Sequence, residues 1–358
     1  MHFALSDEQR ELAAAVRGLV KRRAAVLGLR GAIDSPAGYD TELWTALCEQ
    51  IGVAALSIPE EYGGAGFSLF ETQVVLEALG ESLTPTPLLG SGVLAAQALL
   101  AADAPELLPG IAAGEVVALA WADRSGRHRT DGSEVVASQA DGWVLDGAAT
   151  LILDGAQAAH LLVIAMLDGS PALFQTETIA ETTPALDPTL RFARAEFRAT
   201  PARLLAADFG PALPRLHAIA AIACTALQVG GAQSCLDRTV AHLKEREQFG
   251  RPLGSFQALK HRVADLLVQV ETARSISWAA GFAASNGDDP ARQAAYAKSW
   301  CGDAFTAVAA ETVQLHGGIA ITWEHDVQLY FKRAHALAQL FGDAREHRAR
   351  LATESREE

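Results

Sequence analysis

The chain has 358 residues, is 50% hydrophobic and carries a formal net charge of -14 at pH 7. This length and apolar content suit two or three packed domains and exclude a disordered chain, while the acidic charge argues against a nucleic-acid partner, which requires a basic surface. No apolar run reaches the length of a membrane span and the N-terminus lacks the order of a signal peptide, so we expect a cytoplasmic protein with no membrane insertion.

Residues 1–112 are predicted to form an N-terminal helical domain. In the first helix, apolar residues recur at the spacing of one helical face: Leu12, Val16, Leu19 and Val20. The segment PEEYGGAG at residues 59–66 is a turn cluster, and Ala- and Leu-rich helical sequence follows it. The whole domain is therefore expected to be helical.

Residues 113–208 have a different sequence pattern. Short apolar runs alternate with Gly and Asp turn residues, and Leu190 and Phe192 alternate with polar neighbours. Such runs are typical of strands. A small β domain is therefore expected in the middle of the chain.

Helical periodicity returns in residues 209–350. A first helix of about thirty residues contains Gly230 and Gly231, which suit close contact with another helix. The second helix carries an apolar stripe formed by Phe256, Leu259, Val263, Leu266, Leu267 and Val270. A third helix ends near Gly317, a suitable C-cap residue. Long antiparallel helices predict a four-helix bundle, and the tail at residues 351–358 has a disordered composition.

The cysteines and histidines indicate no metal site. The four cysteines are far apart and are expected to be buried free thiols: Cys48, Cys224, Cys235 and Cys301. His316 is expected to cap a helix end or to contact a ligand. His325 and His335 have no partner constellation for zinc, so structural roles are expected for both.

Basic residues near the C-terminus have two interpretations. Lys332 and Arg333 suit surface ion pairs with Glu324 or Asp326. A ligand role for either residue is equally compatible with the sequence.

The segment EREQFGRPLGSFQALKHRVADL forms a hinge between the first two long helices. Arg246 and Arg251 bracket a Gln-Phe-Gly turn at the end of one helix. Their charges would complement the helix dipole in any case. A pyrophosphate would also suit this segment, because it offers arginine side chains, backbone N–H groups freed by glycines, and Gln257 in the first turn of the next helix.

Three segments resemble the acyl-CoA dehydrogenase family: REQFGRPLGSFQALKHRVADL, VQLHGGIAITWEHDVQLYFKRA and PEEYGGAG. The resemblance follows the family's domain order over the whole chain. It implies a mostly α fold with a central β domain, in which a helical domain, a β-barrel-like domain and a four-helix bundle follow one another.

The resemblance also implies FAD as the cofactor, an acyl-CoA as the substrate and electron-transfer flavoprotein or a similar protein as the acceptor. In the family, two motifs contact the diphosphate and adenosine end of an FAD held mainly by a neighbouring subunit. The positions that match those motifs are Arg246, Gln248, Phe249, Gln257, Gln314, Gly317 and Gly318.

The catalytic base of the family has no counterpart. Relatives carry a Glu-Gly-Thr sequence where this chain has Phe341, Gly342 and Asp343. A phenylalanine cannot accept the α-proton of a thioester. The other position used for the base falls on Ala220 and Ala221, so no catalytic residue is assigned.

Flavin contacts of the middle domain are also missing. Relatives present an aromatic residue and a hydroxyl to the isoalloxazine, and the matching strand here offers Leu151 and Leu153. The chain would thus contribute residues to the flavin site of a neighbouring subunit but could not form a complete flavin site of its own.

A chain that keeps the hinge motifs but lacks the base and the middle-domain flavin contacts resembles the short subunits of α2β2 acyl-CoA dehydrogenases that actinobacteria use on steroid side chains. It implies a paralogous partner subunit that supplies the catalytic Glu. Two alternatives remain open: a self-sufficient homotetramer with Asp343 as base, and a non-enzymatic partner protein that binds no FAD.

Overall fold

The computed structural model describes residues 4–287 and 289–357. Its N-terminal part is helical, as predicted. Capping boxes at Ser6 and Ser68 begin two of the helices. The helices are α1 (Asp7–Ala24), α2 (Gly28–Asp34), α3 (Thr41–Ile51), α4 (Leu69–Glu81), α5 (Ala96–Ala101) and α6 (Leu108–Ala112).

Seven strands then form one sheet: β1 (Val117–Ala120), β2 (Val136–Ala140), β3 (Gly142–Leu153), β4 (His160–Leu167), β5 (Ser170–Thr176), β6 (Glu181–Thr183) and β7 (Phe192–Ala206). Strand β5 pairs with both β4 and β7, and β2 and β3 link β4 to β7 on the other side. The sheet therefore closes into a barrel around buried residues such as Leu145, Val163 and Phe174. This confirms the predicted middle β domain.

The remaining described chain is helical apart from a short hairpin. Its elements are α7 (Leu213–Glu245), β8 (Glu247–Gln248), β9 (Arg251–Pro252), α8 (Gln257–Ser285), α9 (Ala291–His316), α10 (Val327–Gln339) and α11 (Ala344–Glu357). Helices α8, α9 and α10 pack around α7, as the bundle prediction requires. Helix α11 continues through most of the tail that we expected to be disordered.

Helix α7 is the centre of the bundle. With the turn before it, Gly210–Glu245, it is long and apolar enough to cross a membrane, a property that we judged absent from the sequence. However, 89% of its most apolar window is buried inside the protein. That burial is typical of the core helix of a folded domain.

The two glycines of α7 allow neighbouring helices to approach closely, as predicted. A Cβ added at Gly230 would lie 2.0 Å from the Glu77 carbonyl oxygen of α4. One added at Gly231 would lie 2.4 Å from the Phe305 ring of α9. The first contact involves backbone atoms and so cannot be relieved by a rotamer change.

We expect Gly230→Ala to lower the free energy of unfolding by about 1–3 kcal/mol or more, because α4 and α7 must separate. Gly18→Ala, in the interior of α1, is the matched control. Its added methyl group meets only the flexible Arg22 side chain at 3.4 Å, so a gain of roughly 0.5–1 kcal/mol is expected. Urea denaturation of both variants checks the prediction, and equal stabilities would contradict it.

The predicted stripe on α8 is only partly correct. Leu266 and Val270 are buried, but Leu267 is 48% exposed. The buried face continues through Ala273 and Ser277 instead. Small residues thus form much of the α8 contact, which an apolar-residue pattern underestimates.

Arg333 is also placed differently from the surface ion pair that we expected. Its guanidinium is 2% exposed and donates to the Asp187 carboxylate at 2.5 Å and to the Thr189 carbonyl at 2.9 Å. Asp187 lies in the loop before β7, far away in sequence. The pair therefore ties the middle domain to helix α10.

All four cysteines are free and buried, as predicted. Burial disfavours the thiolate and raises the pKa of Cys48 and of Cys235 to about 12. These thiols are therefore unreactive packing residues. Among the described residues, no group of histidines, cysteines and carboxylates has the arrangement of a metal site.

Candidate functional site

The hinge is a tight hairpin at the end of α7. Strands β8 and β9 pair through Gln248 and Arg251. The two residues between them, Phe249 and Gly250, have φ angles of 56° and 74°. Positive φ at both central positions gives the turn that best matches strand twist in two-residue hairpins. Glycine adopts this conformation freely, whereas Phe249 does so at some cost.

The two hinge arginines have different surroundings. Arg251 lies over the Phe256 ring, with 3.9 Å between its guanidinium carbon and the ring centroid. The exposed Arg246 side chain has no ion-pair or hydrogen-bond partner among residues 4–287 and 289–357. Only its backbone is fixed, because its N–H donates to the His242 carbonyl at 2.8 Å. Arg246 is therefore the arginine available to a ligand.

The Gln-x-x-Gly-Gly motif lies at the same end of the bundle as the hinge. Helices α7 and α9 run side by side, and the rings of His242 and His316 stack with 4.3 Å between centroids. An ion pair between Arg262 and Glu311 links the start of α8 to the end of α9. The seven residues that the resemblance identified therefore lie at one end of the bundle, on the hinge, at the start of α8 and at the end of α9.

This end of the bundle presents an open backbone. Gly317 has a φ of 68° and ends α9. A Cβ added at Gly317 or Gly318 would meet nothing within 4 Å. Gln248, Gln257 and Gln314 are exposed beside it. The surface could therefore admit a ligand close to the main chain.

A histidine stack that the sequence did not indicate lies behind this surface. Burial lowers the pKa of His316 to about 4, although its Nδ1–H donates to the Thr312 carbonyl at 2.8 Å. Burial also lowers the pKa of His242. Both rings are thus neutral near pH 7, and the arginines provide the positive charge here. His242 precedes Arg246 by one helical turn, a spacing that could have indicated it.

The turn between α10 and α11 places an apolar side chain at the position that the resemblance matches to the family's base. The Phe341 side chain is buried and its backbone has a φ of 61°. Its ring lies 4.6 Å from the His128 ring, and its carbonyl accepts a hydrogen bond from His347 Nε2 at 2.9 Å. A carboxylate at this position would be separated from water.

Asp343 has a structural role in the same turn. Its Oδ1 accepts a hydrogen bond from the Glu346 N–H at 2.8 Å, so it caps the first turn of α11. This contact agrees with a carboxylate placed at a helix boundary. A catalytic role for Asp343 would compete with that cap.

A buried lysine that the sequence did not indicate holds the turn in place. Lys298 Nζ donates to the carbonyls of Leu337, Ala338 and Gly342 at 2.9, 3.2 and 2.9 Å. Burial lowers the pKa of this lysine. The ammonium satisfies the last carbonyls of α10 and so fixes the path of the chain through Phe341.

A cleft of about 990 Å³ lies between the barrel and the α10–α11 turn. Leu151 lines it, whereas Leu153 is buried in the main core. Ala220 and Ala221 are fully buried within α7. An alanine side chain has no proton acceptor, so neither position could supply the base.

The described residues fit the far end of FAD but not its reactive end. At the hinge, a free arginine and an open glycine backbone suit a diphosphate. Beside the cleft, the position that the resemblance matches to the family's base carries the buried Phe341. The structure thus agrees with a half-site, while the ligand roles of the seven hinge residues remain predictions.

Two buried histidines near the cleft make stability depend on pH. Burial lowers the pKa of His217 to about 2 and that of His347 to about 4. Their unfolded pKa is 6.5, so the unfolded state binds protons first as the pH falls below that value. Stability is therefore present above pH 6.5 and is lost below it, by about 1.4 kcal/mol per pH unit for each histidine below roughly pH 5.5.

We expect His347→Gln to remove about half of this histidine contribution to the slope, as measured by urea midpoints between pH 4.5 and 7.5. Asp154 acts in the opposite direction, because burial raises its pKa to about 8 and the folded state then binds the proton. Comparing the variant with the parent chain cancels that contribution. Parallel pH profiles of the two proteins would disprove the assignment.

Comparisons with known proteins agree with this architecture. Residues 6–115 match the profile described as "Acyl-CoA dehydrogenase, N-terminal domain" and residues 217–355 match "Acyl-CoA dehydrogenase, C-terminal domain". Acyl-CoA dehydrogenase IpdE2 of Mycolicibacterium smegmatis is 43% identical over 351 residues, which cover 98% of this chain and 99% of the relative.

Two solved structures are similar over nearly the whole chain. The "Tcur3481-Tcur3483 steroid ACAD G363A variant" has a TM-score of 0.88 and 32% identity, covering 98% of both chains. The ChsE4-ChsE5 complex from Mycobacterium tuberculosis has a TM-score of 0.89 and 28% identity, covering 100% of both. These similarities confirm the predicted fold. They also confirm FAD as the cofactor of the family. The chain belongs to the acyl-CoA dehydrogenase family of FAD-binding flavoproteins.

Proposed function

We propose that this chain is the base-lacking subunit of a heteromeric, cytoplasmic, FAD-dependent acyl-CoA dehydrogenase. The enzyme would oxidise a bulky acyl-CoA, such as a steroid side-chain thioester, to the 2,3-enoyl-CoA. One observation carries the proposal: the hinge is exposed and open, yet Phe341 occupies the turn where the family places its base.

The similar proteins support a heteromer and a steroid substrate. One related structure is titled a complex of two proteins, and another is titled a steroid ACAD. Leu151 lines the cleft on the strand where the resemblance implies an aromatic residue and a hydroxyl. This difference agrees with a wider acyl pocket. Substrate profiling of the complex tests that point, since a preference for short linear thioesters would contradict it.

The hinge residues would hold the diphosphate end of FAD at the interface with the partner. Arg246 would donate charge-assisted hydrogen bonds to phosphate oxygens, and the backbone at Gly317 and Gly318 would allow close approach. Bound FAD would supply the acceptor for the hydride that leaves the β-carbon of the thioester. The partner subunit would supply the carboxylate that removes the α-proton.

Co-expression with a paralogous acyl-CoA dehydrogenase that carries the Glu-Gly-Thr sequence tests the proposal. Native mass spectrometry and flavin absorbance should give one flavin for each unlike pair of subunits. The chain expressed alone should lack both flavin and turnover. Yellow, active protein from this chain alone would favour the homotetramer with Asp343 as base.

A further inference from the structure

We propose that the ion pair between Arg262 and Glu311 is a positioning pair for the dinucleotide site at the hinge. It would hold the start of α8, which carries Gln257, at a fixed distance from the end of α9, which carries Gln314. This role rests on the proposed function, because it concerns how the hinge surface keeps its shape for FAD. Neither residue of the pair is among the seven positions that the resemblance identified.

The pair lies close to both glutamines along the chain. Arg262 Nη2 donates to Glu311 Oε2 at 2.6 Å, and Arg262 Nε is in ion-pair contact with Oε1. Contact at both carboxylate oxygens fixes the orientation of the two side chains as well as their distance. Arg262 follows Gln257 by five residues and Glu311 precedes Gln314 by three. These separations are about 7.5 and 4.5 Å along the helix axes, so a shift at the pair would move both glutamines.

The start of α8 is otherwise weakly held. None of the first nine residues of this helix, 257–265, has a fully buried side chain. Val263 packs against the main core but is only half-buried. Within the described chain, Arg262 is the one residue of this segment whose side chain makes a hydrogen bond or an ion pair. The core therefore does not fix Gln257, which leaves the ion pair to do so.

The end of α9, by contrast, is anchored in the core. Leu315 and His316 are buried. Thr312 is fully buried, and its hydroxyl accepts a hydrogen bond from the Thr239 hydroxyl of α7 at 3.1 Å. Glu311 precedes Thr312 directly and so has a fixed support. The pair transfers this fixed position to the start of α8. Holding a site in its binding geometry raises affinity, because less side-chain entropy is lost when the ligand binds.

Titration with FAD tests the role in the complex of this chain with its catalytic paralogue, after the flavin has been removed. Arg262→Gln and Glu311→Gln should each weaken FAD binding by about three- to tenfold, the cost of ordering one side chain. Removing the Glu311 charge near a diphosphate would by itself strengthen binding, so weaker binding identifies positioning. The double variant should bind no more weakly than either single variant. FMN, which lacks the adenylate half of FAD, should bind all of them as it binds the parent complex.

Arg17→Gln and Glu81→Gln are the matched controls. Their pair joins α1 to α4 through hydrogen bonds of 2.6 and 2.7 Å. Its side chains are 48% and 24% exposed, against 43% and 21% for Arg262 and Glu311. Pairs this exposed contribute little to stability, so urea midpoints should hardly change in either set. Unchanged FAD affinity in Arg262→Gln, tighter binding in Glu311→Gln or an equal loss in the controls would overturn the role.

Failure of this role can be told from failure of the proposed function. A parent complex that takes up no FAD would refute both. A parent complex that binds FAD, with Arg262 and Glu311 variants that bind it equally well, would refute the positioning role alone. If Arg262→Gln does not assemble by native mass spectrometry, Glu311→Gln gives the deciding result, because its expected direction is opposite to that of a simple charge effect.

Discussion

Replacing Arg246 by alanine should strip flavin from the complex of this chain with its partner. The guanidinium has no ion-pair or hydrogen-bond partner within the part of the chain that the structure describes, so its hydrogen-bonding capacity is available to the cofactor. Losing a charge-assisted contact to a diphosphate costs about 1.5–3 kcal/mol, or roughly 10- to 150-fold in FAD affinity. Flavin content after gel filtration and the dissociation constant for FAD measure the effect.

Two neighbouring variants make that experiment specific. Arg251→Ala removes an equal charge five positions after Arg246 in the same hairpin, but that guanidinium already lies over Phe256, so flavin should be retained. Arg246→Lys keeps the charge without the planar fork and should give an intermediate affinity. If Arg246→Ala kept a full complement of flavin in an intact complex, the non-enzymatic alternative would gain support.

Replacing Arg333 by alanine should destabilise the protein by about 3–5 kcal/mol, because the buried Asp187 carboxylate would lose its counter-charge. Thr189 would lose its guanidinium partner at the same time. Chemical denaturation measures the effect. Loss of the contact between α10 and the loop before β7 should also increase proteolysis of that loop.

Exposure decides the size of the effect, and two controls test this. Arg198→Ala removes a guanidinium that pairs with Glu196 but is 86% exposed, so solvent screening leaves little to lose. The double variant with Asp187→Ala should recover part of the loss, because the stranded charge is gone. A loss in Arg198→Ala as large as in Arg333→Ala would show that burial of the pair is not the cause.

The sequence could predict features that depend on local patterns. Periodic apolar residues identified α1 and the long helix α7, and alternation identified the barrel strands. The hinge was predictable because glycines, arginines and the ends of two helices lie within one short segment. Gly230 and Gly231 predicted a close helix contact for the same reason, because two adjacent glycines within a helix can be recognised from the local sequence alone.

Other features depend on residues that meet only in the folded chain. Arg333 appeared to be a surface residue because its buried partner Asp187 is 146 positions away. Lys298 looked like an ordinary helix residue because the carbonyls that surround it belong to α10 and the following turn. The contact between His217 and Arg350 spans 133 positions. No local pattern in the sequence predicts such pairs.

The buried ring of Phe341 makes a carboxylate costly at this position. A Phe341→Glu change would place a carboxylate in an apolar, water-poor setting that costs several kcal/mol unless a partner is supplied. The surrounding histidines are neutral, and the nearby lysine is already bonded to three carbonyls. A glutamate at position 341 would therefore need further changes around it before its charged form could be held there.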